Sequence, residues 1–131
     1  MAFACTVVTP EQQRFDGQVS QVIVPAHDGL LGILTHHAPL LVKLGVGPLR
    51  LDKPDGQKLF FLVDGGVAQM KDDRLTILSG EVTPATELDY DAARAEYAEA
   101  AAMKATDPKS MEEREHRMEK ARAQQAMAGQ G

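Results

Sequence analysis

The stretch Val22–Leu49, VIVPAHDGLLGILTHHAPLLVKLGVGPL, decides how this chain is read. Val22 and Val24 alternate as on a half-buried strand, and that strand ends at Val24-Pro25. Ala26-His27-Asp28-Gly29 reads as a loop. Gly32-Ile33-Leu34 follows, then His36-His37, Ala38-Pro39-Leu40 and a Gly45-x-Gly47 pair. Few folds need glycines, prolines and aliphatics in that order.

Working outward, short strands dominate. Phe3, Cys5 and Val7 alternate with Ala4, Thr6 and Val8; Leu49 and Leu51 share a face, with Arg50 and Asp52 turned away; Leu75 and Ile77 repeat the pattern. Period two over short stretches predicts half-buried strands. Lys53-Pro54-Asp55-Gly56 and Lys71-Asp72-Asp73 predict turns. Leu59–Val63 is apolar at every position and predicts a central strand. Gly65-Gly66 predicts a bulge or a tight strand junction. Many short strands with frequent turns predict an antiparallel sandwich, and roughly 80 residues suffice for its core.

The chemistry changes near Leu88, because every Leu, Ile, Val and Phe lies at or before it. Beyond it the large apolar side chains are Tyr90, Tyr97, Met103, Met111, Met118 and Met127. Alanine and charged helix formers fill the rest. Asp89 or Asp91 offers an N-cap, and Tyr90, Ala93, Tyr97 and Ala100 fall on one helical stripe. Thr106–Ser110 breaks that helix, with Pro108 suited to the first turn of the next. Met111, Met118 and Gln125 lie seven apart, Ala121 joins their face, and Gly129 and Gly131 end the helix. The fold class is therefore α+β: an antiparallel β-sandwich over residues 1–86, then an α-helical hairpin over 87–131. A hairpin that buries only Ala, Met and two Tyr gains little from docking, which suits an element that leaves one site and re-packs on another.

Composition excludes several functions. The 131 residues carry 14 basic and 19 acidic side chains, a net charge of −5. That balance argues against a nucleic-acid footprint and against electrostatic docking on anionic lipid. The single cysteine, Cys5, forms no internal disulfide and fits a reducing compartment. Met1–Cys5 shows no signal peptide, and the apolar runs are too short to span a bilayer, so any link to a membrane passes through another protein. His27, Asp28, His36 and His37 match no zinc spacing. No P-loop, dinucleotide fingerprint or nucleophile elbow is present. Catalytic residues and metal ligands are therefore expected to be absent.

Two further motifs extend the opening stretch: Glu11-Gln12-Gln13-x-Phe15-x-Gly17 before it and Asp64-Gly65-Gly66-Val67-Ala68 after it. With them the chain resembles the epsilon subunits of F-type ATP synthases, called delta in mitochondria, over nearly its whole length. The resemblance implies a non-catalytic rotor subunit that couples proton-driven rotation to ATP synthesis. Residues 1–86 would grip the gamma subunit and sit on the membrane ring of c subunits, with Asp28, Gly29, Leu30 and His37 facing the ring. Leu30 stands where some relatives carry an acidic residue. The hairpin over residues 87–131 would extend along gamma into the alpha/beta catalytic hexamer and block ATP hydrolysis. Asp91, Arg94 and Ala95 follow the pattern by which some relatives bind regulatory ATP, with Arg122 on the second helix. Tyr90 and Ala126 depart from that pattern, so weak binding is implied. The implied location is peripheral, on the cytoplasmic face of the bacterial inner membrane. The residues alone leave two other readings open: a ligand-binding sandwich whose helical tail dimerises, and a hydrolase using His27, His36 or His37.

Overall fold

The computed structural model describes residues 1–129. Ten strands form two five-stranded sheets. In chain order they are β1 (Phe3–Val8), β2 (Gln13–Val19), β3 (Gln21–Ala26), β4 (Gly29–Leu34), β5 (Leu40–Lys43), β6 (Val46–Asp52), β7 (Lys58–Asp64), β8 (Val67–Lys71), β9 (Arg74–Leu78) and β10 (Val82–Pro84). One sheet has the order β2-β1-β9-β8-β5 and the other β10-β7-β6-β3-β4. A 3-10 turn, Ala85–Glu87, leads to α1 (Tyr90–Ala102) and α2 (Pro108–Met127). Gly131, expected to help end the second helix, lies outside the described residues.

The period-two segments are strands, and their apolar members face one core. Phe3, Cys5, Val7, Leu75 and Ile77 line the inner face of one sheet; Val22, Val24, Leu49 and Leu51 line the other. Each fully buried aliphatic side chain contributes about 1.5–3 kcal/mol, so this layer carries most of the stability. The sandwich departs from a purely antiparallel arrangement at one place: β1 pairs with β9 in parallel, Cys5 opposite Leu75. The turn at Lys71–Asp73 places Asp72 and Asp73 at φ of 52° and 58°, the left-handed pair that suits a two-residue hairpin.

The opening stretch is where the chain changes sheets. β3 and β4 form a hairpin in one sheet, β5 belongs to the other, and β6 returns to the first. The return occurs at Leu44-Gly45, beside the β7-to-β8 crossing at Gly65-Gly66. The two crossings bond to each other: the Leu44 N–H donates to the Gly66 carbonyl at 2.9 Å, and the Gly65 N–H to the Gly45 carbonyl at 3.0 Å. Gly66 has φ of 111°, and a Cβ there would lie 2.0 Å from the Leu78 carbonyl oxygen. At Gly47 a Cβ would come within 3.0 Å of Pro25, which explains the glycine two residues after Gly45.

Two outcomes follow. Gly66→Ala combines a disfavoured φ with a backbone clash and should cost about 3 kcal/mol or more in urea unfolding. Gly80→Ala, where a Cβ meets open space, should stay within about 0.5 kcal/mol of the parent. Equal midpoints for the two would contradict the crossing geometry. Burial, reinforced by the Asp16 carboxylate, pushes the Cys5 thiol up to about 12. A disulfide reagent at mildly alkaline pH should therefore leave the native chain unlabelled and react only after unfolding.

Candidate functional site

The helices are joined by polar clamps and very small side chains. Asp89 caps α1 by accepting from the Asp91 and Ala92 N–H groups. Asp107 caps α2 in a capping box: it accepts from the Ser110 N–H at 2.7 Å, while the Ser110 hydroxyl accepts from the Asp107 N–H at 3.2 Å. The Ser110 bonds hold the Asp107 carboxyl below its ordinary range. Between the helices, Arg117 reaches Glu96 at 2.8 Å and Glu99 at 3.5 Å. Arg114 donates to the Ala101 carbonyl at 3.1 Å, at the C-terminal end of α1. Arg122 donates to the Tyr97 hydroxyl at 3.1 Å and lies over that ring. This bond, with Glu115 and Glu119 near, raises the Arg122 pKa.

The hairpin stripes differ from those read in the sequence. Tyr90 and Met111 are both 54% exposed, whereas Ala93, Ala100, Ala121 and Met127 are buried. Helices that meet through alanine approach closely, and large side chains at Tyr90 and Met111 find no room between them.

It is α2 that packs on the outer face of β6 and β7. Met127 is buried against Leu62 and Ala85, with Val46, Phe60, Leu88 and Ala123 around them. This second cluster explains why Leu59–Val63 is apolar throughout: Phe61 and Val63 face the sandwich core, Leu62 and Phe60 face α2. Further along α2, His116 lies 2.8 Å from Asp64, and Lys120 reaches Glu81 at 2.7 Å and Asp64 at 3.6 Å.

The sandwich keeps two surfaces open. Asp28, Gly29 and Leu30 sit together at the tip of the β3–β4 hairpin, Leu30 being 67% exposed. His37 is not with them. It follows the far end of β4, whose last residue, Leu34, lies about 17 Å from Gly29, and its N–H donates to the Leu34 carbonyl at 3.2 Å. His36, at φ of 61°, is also at that far end, where its N–H donates to Asp73 at 2.7 Å. His27, at the tip, therefore does not converge with His36 and His37. The second open surface is the outer face of the β1-containing sheet, where Leu41 is 72% and Leu78 48% exposed.

Of the nucleotide candidates, Asp91, Arg94 and Ala95 lie exposed on the first turns of α1. Arg122 lies one turn further along, engaged by Tyr97. No described helix is long and apolar enough to cross a membrane.

The beta-sandwich domain of the ATP synthase delta/epsilon chain family matches residues 2–85. An ATP synthase epsilon chain of Rhodopirellula baltica is 38% identical over 124 residues, covering 95% of this chain and 96% of that one. The chain belongs to the ATP synthase delta/epsilon family. A second epsilon chain, from Nitrosococcus oceani, is 32% identical over 98% of this chain and 86% of its own length. The family's fold extends through the helices. A structure of the Euglena gracilis mitochondrial ATP synthase, OSCP/F1/c-ring, superposes over 95% of this chain and 80% of the matched chain, with a TM-score of 0.88 at 21% identity. One of the Tetrahymena thermophila central stalk and c-ring gives 0.66 over 94% and 93%, also at 21%.

The Asp107 cap acts at neutral pH and is lost as acid titrates a carboxylate held below its usual value of 3.8. Asp107→Ala should therefore increase amide exchange at the first turn of α2 at pH 7 and leave α1 protected. Unchanged exchange there would mean that Pro108 and packing alone start the helix.

Proposed function

We propose that this chain is a non-catalytic rotor subunit of the central stalk of an F-type ATP synthase, coupling rotation of the membrane ring to ATP synthesis. The observation that carries the reading is family membership, with relatives named as ATP synthase epsilon chains matching over nearly the full length of both chains. In this reading the chain is peripheral, on the cytoplasmic face of the bacterial inner membrane.

Residues 1–86 form the part that binds gamma and the ring of c subunits. The uncovered sheet face with Leu41 and Leu78 suits a broad protein contact, and we assign gamma to it. The β3–β4 tip, Asp28–Leu30, is exposed and suited to the polar loops of the ring. The fourth residue of that set, His37, lies at the opposite end of β4, so the ring contact rests on the tip.

Residues 87–131 form the regulatory part. The hairpin occupies the outer face of β6 and β7 through one methionine, a few alanines and a small polar group. An element held this weakly can leave the sandwich, extend along gamma to the alpha/beta hexamer and hinder ATP hydrolysis. Regulatory ATP, weakly bound through Asp91, Arg94, Ala95 and Arg122, would bias that equilibrium. Arg122 must then exchange its Tyr97 bond for the nucleotide.

In the reconstituted complex, removing residues 89–131 should raise ATP hydrolysis severalfold and preserve synthesis. Identical hydrolysis with and without the tail would remove the inhibitory role. A chain ending near Glu87 should unfold cooperatively and still bind gamma, because its main core is complete without the hairpin. Loss of gamma binding by that folded fragment would overturn the assignment of roles. Calorimetric titration with ATP tests the nucleotide reading, and Arg94→Ala should abolish whatever heat the parent shows.

A further inference from the structure

The hairpin is held by two sets of contacts that share no side chain. The inner set joins α1 to α2: Arg117 with Glu96 and Glu99, Arg114 with the Ala101 carbonyl, and Arg122 with Tyr97. The outer set joins α2 to the sandwich: His116 and Lys120 with Asp64 and Glu81 at one place, and Met127 against Leu62 and Ala85 at another. α2 carries the outer contacts, and α1 rides on it.

The polar half of the outer set is a built feature. Asp64 closes β7 immediately before the Gly65-Gly66 crossing, and its N–H donates to the Glu81 carbonyl at 3.3 Å, which fixes the two acidic residues beside each other. Both carboxylates lie within 4 Å of the Lys120 ammonium. His116 stands one helical turn before Lys120 on the same face and takes the other side of Asp64. Asp64 is only 19% and Lys120 25% exposed, so that pair is partly shielded, with Glu81 and His116 on its exposed rim. Without α2 the neighbouring carboxylates lose the Lys120 ammonium and the His116 ring. The inner set keeps all of its partners when α2 leaves the sheet.

We infer that Asp64 and Glu81 are the latch that sets how often the hairpin leaves the sandwich, and that it leaves as a paired two-helix body. This deepens the reading of the hairpin as a movable regulatory element. Opening of the α1–α2 pair, which costs the Arg114, Arg117 and Arg122 contacts, is a separate step. Release also frees Lys120 and the His116 imidazole from their partners together, an ammonium and a ring nitrogen suited to an acidic protein surface.

Spin labels on the full chain test this, because Cys5 is buried and leaves introduced cysteines as the labelled sites. Gln57→Cys with Glu112→Cys reports the sandwich–α2 distance, and Ala98→Cys with Glu112→Cys reports the α1–α2 distance; all three positions are exposed. Adding Asp64→Asn and Glu81→Gln should raise the long-distance sandwich–α2 population about tenfold while the α1–α2 distance stays unchanged. Met127→Ala should act in the same direction, and Arg117→Gln should lengthen only the α1–α2 distance. An unchanged sandwich–α2 distribution in the Asp64/Glu81 variant, with its urea midpoint retained, overturns the latch. If both distances lengthen together, release as one body is wrong. These readouts need no other subunit, so they stand apart from the hydrolysis assay: a working latch with no effect of tail deletion on hydrolysis would sink only the inhibitory role.

Discussion

The structure depends on a pair of adjacent backbone crossings where the chain passes between sheets. Gly66 admits the Leu78 carbonyl where any side chain would collide, and Gly45 and Gly65 bond across to the neighbouring crossing. The strand order follows from this contact, because β5 and β8 can pair in one sheet only if β6 and β7 pair in the other. The crossing also sets the functional geometry. It places Asp64 at the end of β7, and through the Gly45 bond to the Pro25 carbonyl it anchors the β3–β4 hairpin that carries the Asp28–Leu30 tip.

The two interfaces of this fold differ in strength. The layer between the sheets is filled by Phe, Ile, Leu and Val, and its removal would unfold the chain. The layer beneath α2 has one buried methionine and a few surrounding side chains. An Ala methyl buries far less apolar area than a Leu, so the second layer contributes only a few kcal/mol. Such a contact suits the proposed movable hairpin, whose docked state a partner could displace.

Much of the sandwich was legible because period-two alternation needs only one buried face, and Phe3–Val8 and Leu49–Asp52 show it plainly. The family reading was legible in the same way, from glycines whose positions the crossings demand. The parallel pairing of β1 with β9 was not, since alternation says which face is buried but not which strand lies alongside. The hairpin stripe was misread at Tyr90 and Met111, because size was taken as the sign of burial where the helices meet through alanine. That His37 and Asp28–Leu30 stand at opposite ends of β4 was not legible, because the Gly29–Leu34 segment shows no period-two pattern. The contact between Asp64 and His116 spans 52 positions and leaves no periodic trace, so only the folded chain reveals it.

The β1–β9 pairing has a consequence for how the protein is made. β1 leaves the ribosome before every other strand of the sandwich, yet one of its two neighbours ends at Leu78. Until that strand emerges, β1 has only β2 to pair with, and a lone two-stranded hairpin is at best marginally stable in water. Phe3, Cys5 and Val7 therefore wait with their apolar face uncovered while most of the sandwich is synthesised. Such long-range closure slows folding and lengthens the interval in which a nascent chain can aggregate. Among the segments of the sandwich, the amino-terminal strand is the one a chaperone would need to shield.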